Sequence, residues 1–315
     1  EFENVDVRSV QMLEEAGVRI RPGSHALRTT QHRLREKRFL AANGIGVAAF
    51  AEIAGRGDLA TAAQHLGLPA VIKTAAGGYD GKGQAVVRTL MEAQAAFDHL
   101  RGHELVWEAL VPFTSELGII CARSESGSMI TYPVTLNIHE ENILAFAVAP
   151  AALPEATRAR AREIAERIAE GLAFVGAFCV EFFLLAGGEL LVNEIAPRPH
   201  NSGHYTFDAC QLSQFEAQLR AVCDLPLPAP RLTSAAVMAN ILGDGSGDDL
   251  LGIPELLQDP GVVLHLYGKK HAVARRKMGH FTLLREPGFD TARLLEIARA
   301  ARTRLSWGTR AALIT

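Results

Sequence analysis

The sequence predicts a mixed α/β (α+β) protein of 315 residues, laid out as a small α/β unit, a larger antiparallel-sheet unit and a C-terminal β-rich unit. Helical and strand-like periods alternate as far as residue ~105, and strands dominate beyond it. The later apolar runs are joined by short turn-rich links, as in antiparallel hairpins. "PLPAPR" has three prolines in six residues and marks a boundary. These signals divide the chain into an opening segment with a linker helix (1–38), the small unit (39–110), the large unit (111–228) and the β-rich unit (229–315).

Taken in order, "EFENVD" reads as a short strand and "VRSVQMLEEAGVRI" as an amphipathic helix stopped by Gly17. "RPGSHALRTTQHRLREKRFLAANGI" reads as one helix, starting near Ser24 or Thr29 and ending before Gly44. The small unit follows: helix "DLATAAQHLG", strand "PAVIK", a glycine-rich turn, strand "QAVVRT" and helix "LMEAQAAFDHL". Strands are then expected at "ELVWEALV", "SELGIICARS", "MITYPVTLNIHEEN" and "ILAFAVAP", with a long helix at "PEATRARAREIAERIAEGLA". "GAFCVEFFLL" and "ELLVNEIA" form a hairpin across "AGG", and "SQFEAQLRAVCDL" is a helix. The tail has strands near "AAVMANILG", "VVLHLYGK" and "HFTLLRE", closed by the helix "ARLLEIARAARTRL".

Composition narrows the function. The chain is 48% hydrophobic and 21% charged with a net charge of -3, which leaves no basic footprint for nucleic acid. The longest apolar run, "ILAFAVAPAAL", is too short to span a bilayer and holds Pro150. Cys121, Cys179, Cys210 and Cys223 form no CxxC pair and sit among apolar neighbours, so buried free thiols and a cytoplasmic setting are expected.

Four stretches carry chemistry. "VIKTAAGGYDGKGQ" ends a strand on Lys73 and turns through Gly77, Gly78, Tyr79, Asp80, Gly81, Lys82 and Gly83 to Gln84. It fails the Walker A spacing at Ala76 and is no GxGxxG, but a glycine hairpin tip can offer backbone N–H groups to an anion. A solvated hairpin is the bland alternative. Second, Glu181 and Glu194 lie inside apolar strands, where a carboxylate needs a partner. Pairing Leu185 with Leu190 around a four-residue turn sets the two glutamates opposite each other, and a divalent cation such as Mg²⁺ resolves that repulsion. A one-residue slip would send them to opposite faces. Third, "RPHNSGHY" packs Arg198, His200, Asn201, Ser202 and His204 into a donor cluster suited to an oxyanion. Fourth, "YGKKHAVARRKMGH" carries Lys269, Lys270, Arg275, Arg276 and Lys277, either a solvated strand or a grip for a phosphate.

These motifs, with "FENVD", "RLREK", "WEALVPFTSELGII", "YPVTLNIHEENI", "VEFF" and "NEIAPRPHNSGHYT", resemble the ATP-grasp superfamily. Within it the chain is similar to the N5-carboxyaminoimidazole ribonucleotide synthetase family, along nearly its whole length. The resemblance implies an ATP-grasp fold in which the small unit is a lid. It also implies an N-terminal nucleotide-fold-like domain that is largely missing here, roughly seventy residues by typical domain size. Two departures stand out: the glycine-rich turn of that domain is absent, and Val273 stands where the family usually has an arginine.

The resemblance further implies ATP-dependent carboxylation of 5-aminoimidazole ribonucleotide with bicarbonate, through carboxyphosphate, with ATP and Mg²⁺ bound. Lys73 and Arg33 would contact ATP, and Gly78 to Gln84 would close over the triphosphate. Glu108, Ala109, Leu110 and Val111 would read adenine through their backbone, Glu116 would take the ribose hydroxyls, and His139 would line the nucleotide site. Glu181 and Glu194 would hold the metal, with Asn193 beside them. Arg198, His200 and Asn201 would bind bicarbonate, Tyr79 and Asp80 would touch the aminoimidazole ribonucleotide, and Lys269 and Arg276 would grip its 5′-phosphate. A homodimer is the family expectation. Two alternatives are a sister ligase, such as the formate-dependent glycinamide ribonucleotide transformylase, and an ATP-binding module without turnover.

Overall fold

The computed structural model describes residues 2–78 and 83–309. The chain opens with α1 (Val7–Glu15), α2 (Ser24–Thr30) and α3 (Arg33–Ala42). Residues 2–6 form no strand; Asp6 instead caps α1, its carboxylate accepting from the N–H groups of Arg8 and Ser9. The single second helix expected from the sequence breaks in two at Gln31 and His32. The reason is tertiary: the Arg33 N–H leaves the helical ladder and donates to Ala75 O at 2.8 Å.

The small unit comprises β1 (Phe50–Ile53), α4 (Asp58–Leu66), β2 (Ala70–Thr74), β3 (Gln84–Val87), α5 (Leu90–His99) and β4 (Leu105–Ala109). Its strands run antiparallel in the order β1-β4-β2-β3. Ile53, Ile72, Val87 and Trp107 pack against Leu59 and Ala62 of α4 and Ala93 and Ala96 of α5. The sequence reading did not include β1.

The remaining elements are β5 (Phe113–Arg123), β6 (Met129–Thr131), β7 (Thr135–Glu140), β8 (Ile143–Ala149), α6 (Glu155–Gly171), β9 (Gly176–Leu185) and β10 (Leu190–Ala196). They continue through a 3₁₀ turn at Asn201–Gly203, α7 (Thr206–Ala209), α8 (Gln214–Val222), β11 (Ala235–Leu242), β12 (Asp249–Leu251) and α9 (Ile253–Leu256). The chain ends in β13 (Val262–Leu266), β14 (Lys277–Arg285), α10 (Thr291–Arg302) and β15 (Ser306–Gly308). "MITYPVTLNIHEEN" is two strands, not one. Pro133 lies between them and has no N–H for a ladder.

Among the described residues one large sheet runs β10-β9-β5-β7-β8-β11-β14-β13, with β6 beside β5. It crosses the proline-rich boundary near residue 228 without interruption, because β11 pairs with β8. One face is apolar. Leu117, Ile119, Phe178, Val180 and Val192 meet Ile164 and Ile168 of α6, while Phe146, Val237, Phe281 and Leu283 meet Leu294 and Ala298 of α10. The other face carries buried polar groups, among them Glu181, Thr135, Asn137, Asn240, His280 and Thr282, and the segment 198–214 lies across it. All four cysteines are free, but Cys223 is exposed and Cys210 half-buried, correcting the expectation that all are buried. Cys223 follows the last turn of α8, which explains its exposure. No helix among the described residues is long and apolar enough to cross a membrane.

Candidate active site

Antiparallel pairing of β9 and β10 sets Glu194 directly opposite Glu181. The register that achieves this is not the one expected. Leu190 pairs with Leu184, not Leu185, which in a regular ladder would leave Asn193 facing Glu181. A bulge between Val192 and Glu194 absorbs the extra residue and restores the glutamate pair. The Val192 N–H meanwhile donates to Gly46 O at 2.8 Å, and the Ile195 N–H to a carboxylate oxygen of Glu36 at 3.0 Å. The bulged stretch is therefore anchored on both sides of Asn193.

Glu181 is buried, whereas the Glu194 side chain is 38% exposed. Burial, then the neighbouring Glu194 charge, pushes the Glu181 carboxyl up to about 8. His139 and Lys277 pull the other way. Arg33 Nη1 stands 3.4 Å from a Glu194 oxygen. Two carboxylates this close, one of them desolvated, are a donor set that a hard cation satisfies.

On the small unit, Lys73 is the penultimate residue of β2, opposite Gln84, and the Thr74 N–H closes the hairpin on Gly83 O at 2.8 Å. Gly83 has φ +71, and a Cβ there would lie 2.7 Å from Thr74 Oγ1, so only glycine closes the hairpin without displacement. Tyr79, Asp80, Gly81 and Lys82 lie outside the described residues; Gly78 borders them, half-buried. Lys73 Nζ sits 2.9 Å from Glu108 Oε2, and Lys37 Nζ reaches the same oxygen at 3.4 Å. Burial alone would raise the Glu108 carboxyl, but the two ammonium groups outweigh it and hold it low. Burial lowers Lys73, with Glu108 opposing. Ala109, Leu110 and Val111 continue from β4 toward β5, with Leu110 exposed. Glu116 on β5 and His139 on β7 are in direct contact. Burial would lower His139, but the Glu116 hydrogen bond and charge raise it above its usual value.

The segment from Arg198 to His204 folds over the polar face of the sheet. Gln214, fully buried, accepts from the His200 N–H at 2.9 Å and donates to His200 O at 2.8 Å, clamping the backbone. The His200 Nδ1 accepts from the Ser202 N–H at 3.3 Å and lies 2.9 Å from its hydroxyl. Nε2 then carries the proton, and it points toward Glu181 Oε1, 3.7 Å away. Burial, reinforced by Arg198, holds His200 well below its usual range, so the ring is neutral. Gly118 makes room for this arrangement: a Cβ there would fall 2.9 Å from Asn137 Nδ2 and 3.2 Å from Ser202 Oγ. Arg198 pairs with Glu3 at 2.8 Å. Asn201 exchanges hydrogen bonds with Asn240.

The basic tail is split by the structure. Lys269 donates to Lys277 O at 2.6 Å and lies over the Tyr267 ring. Arg276 is exposed, with one guanidinium N–H 3.4 Å from His271 O. Arg275 is held by Glu141 at 2.8 Å and 2.7 Å, and Val273 is exposed. Nearby, Asp208, His265 and His280 bring one potential ligand atom each within 4.8 Å of one another. The two rings stack at 4.6 Å with planes 20° apart, and Asp208 already bonds His265 Nε2. That group is a hydrogen-bonded dyad beside a neutral histidine.

Several residues of the site were not singled out from the sequence: Lys37, Glu36, Gln214, Asn240 and the role of Lys277 as a charge acting on Glu181, His139 and His200. Burial, then Glu194, pushes Glu36 up to about 8, like Glu181. A carboxyl raised in the folded state stabilises fully below its unfolded value near 4.5 and loses that contribution as pH rises through about 8. The ligand-free protein should therefore lose several degrees of Tm between about pH 4.5 and 8. Glu36→Gln, which keeps an acceptor for the Ile195 N–H, should flatten part of that slope. Scanning calorimetry across this range checks it; an unchanged slope would place the loss elsewhere.

Residues 38–215 match the ATP-grasp domain family, and residues 236–290 match the phosphoribosylaminoimidazole carboxylase C-terminal domain. The chain is 41% identical over 290 residues to the N5-carboxyaminoimidazole ribonucleotide synthase of Bacillus subtilis (strain 168), covering 91% of this chain and 74% of that protein. The crystal structure of an ADP complex of an N5-carboxyaminoimidazole ribonucleotide synthetase superposes with a TM-score of 0.87 at 41% identity, covering 96% of this chain and 78% of that one. The Aspergillus clavatus synthase, solved with ADP and 5-aminoimidazole ribonucleotide, gives 0.87 at 30% identity over 95% and 80%.

Proposed function

Since the chain belongs to the N5-carboxyaminoimidazole ribonucleotide synthase family of ATP-grasp ligases, we propose that it carboxylates 5-aminoimidazole ribonucleotide with bicarbonate. ATP is converted to ADP and phosphate in the process, a step of purine synthesis. The observation that carries the reading is the Glu181–Glu194 pair facing a neutral, hydrogen-bonding His200. The carboxylate pair and the His200 ring lie side by side at the β9–β10 edge of the sheet, which supports this reading.

The chemistry has two steps. A bicarbonate oxygen attacks the γ-phosphorus, the bond to the β-phosphate oxygen breaks, and carboxyphosphate and ADP form. The amine of the ribonucleotide then attacks the carboxyl carbon of carboxyphosphate, or of CO₂ released from it, giving the carbamate and phosphate. Little of this needs a protein nucleophile; positioning and charge neutralisation do most of it. Lys73 and Arg33 bind the phosphates, and the backbone of Glu108 to Val111 reads adenine. Glu116 orients the ribose, and His139 lines the same site. Glu181 and Glu194 would hold Mg²⁺, with Asn193 alongside, and the ion would offset charge on the triphosphate. Arg198, the Nε2–H of His200 and the amide of Asn201 orient bicarbonate. Tyr79 and Asp80 contact the ribonucleotide, and Lys269 and Arg276 bind its 5′-phosphate. Gly78 to Gln84 close over the nucleotide and keep water from the labile intermediate. We further assign a homodimer in the cytoplasm.

ADP release tests the reading. It should be stimulated by 5-aminoimidazole ribonucleotide with bicarbonate, and not by glycinamide ribonucleotide with formate. Stimulation by the second pair would favour the sister ligase; ATP binding with no acceptor-stimulated turnover would point to a non-catalytic module.

A further inference from the structure

Asn240 lies in the apolar strand β11, 1% exposed, with its side chain on the polar face of the large sheet. Its carboxamide is fully used. Nδ2 donates to Leu144 O at 2.7 Å and to Asn201 Oδ1 at 2.6 Å, and Oδ1 accepts from Asn201 Nδ2 at 3.1 Å. The Leu144 carbonyl can only accept, so it dictates which end of the Asn240 amide is nitrogen. Asn240 in turn dictates which end of the Asn201 amide is nitrogen. The chain of constraint runs from a backbone carbonyl on β8, through a buried side chain on β11, to a half-buried side chain beside His200.

The consequence is chemical. With one N–H tied to Asn240, Asn201 has a second N–H left on a nitrogen whose position is fixed. Turned over, the same side chain would offer that place an oxygen, which repels an oxyanion instead of binding it. An asparagine free to flip would sample both. The surroundings support a locked arrangement: across the sheet Asn240 pairs with His280, whose Nδ1 is held 2.8 Å from the Tyr267 hydroxyl. Burial, then His204, holds His280 down at about 3, so no charge on that side competes for the amide.

We propose that Asn240 is a positioning residue that locks the Asn201 amide with its donor end toward the oxyanion substrate. The proposal rests on the reading of Asn201 as a bicarbonate ligand. It does not make Asn240 a catalytic residue, because Asn240 is enclosed and acts only through Asn201.

A double-mutant cycle tests it, with Asn201→Ala, Asn240→Leu and the pair. Kinetics are measured separately for bicarbonate and ATP, and Tm is recorded for each variant. Asn240→Leu removes the lock at similar volume. It should cut kcat/KM for bicarbonate about 10- to 100-fold, in line with loss of an outer partner of a binding group, while KM for ATP stays within about twofold. The double variant should be no worse than Asn201→Ala alone, since there is then nothing left to orient. Asn240→Ser keeps a hydroxyl for Leu144 O and carries the same expectation should the leucine variant not fold. Additive losses in the cycle, or parallel losses for ATP and bicarbonate that track Tm, would overturn the proposal in favour of a structural role. If Asn201→Ala leaves the bicarbonate parameters unchanged, the reading of Asn201 itself falls and the lock with it.

Discussion

Replacing Lys73 with alanine should lower ADP release by about 10²- to 10³-fold, the usual effect of removing one preorganised group aimed at developing charge. Lys73 lies near the end of β2 and is held by Glu108 at 2.9 Å, so its ammonium is in place before a nucleotide arrives. The loss should fall mainly on kcat, because the other proposed ATP contacts, Arg33 and the backbone of Glu108 to Val111, remain. Folding should survive, for a specific reason: Glu108 is 3% exposed and would be costly as an unpaired charge, but Lys37 Nζ stays 3.4 Å from the same oxygen. Removing Lys37 and Lys73 together should instead destabilise the chain severely. Steady-state kinetics with thermal melts separate the two effects. Near-normal ADP release from Lys73→Ala would contradict the role given to that lysine.

The second large effect is expected at the carboxylate pair. Glu194→Gln should weaken Mg²⁺–nucleotide binding by at least about 10- to 100-fold, since even second-sphere partners of metal ligands cost that much. The same change removes a charge beside Glu181. In the ligand-free protein the Glu181 carboxyl should therefore fall from about 8. Two readouts thus move in opposite senses: the metal complex weakens while the empty site relaxes. Titration of Mg²⁺ against a fixed nucleotide concentration measures the first, and the pH dependence of Tm the second. An unchanged Mg²⁺ titration would remove Glu194 from the metal site.

What the sequence made legible was chemistry carried by local pattern. A carboxylate inside "FCVEFF" and another inside "LLVNEIA" are anomalous wherever the strands go, and the structure sets them opposite each other. The hairpin register near the turn was not legible, because a bulge leaves no mark beyond one extra residue. The correct glutamate pairing was reached from an end register that the structure does not have. Lys37 and Glu36 look like solvated helix charges in "RLREK", yet both are 2% exposed. Only the packing of α3 against the strand ends buries them. Asn240 is one polar residue in "AAVMANILG", and its partner is 39 residues away. The continuity of the large sheet past the proline-rich boundary was hidden for the same reason: the pairing of β8 with β11 is long-range and has no local signature.

The most direct test is the fate of a bicarbonate oxygen. With ¹⁸O-labelled bicarbonate, ATP and 5-aminoimidazole ribonucleotide, one labelled oxygen should appear in each phosphate released. That atom becomes the bridge of carboxyphosphate and leaves with phosphorus. Phosphate carrying no label would mean that water, and not bicarbonate, takes the phosphoryl group, and would contradict the carboxylase assignment at its chemical centre.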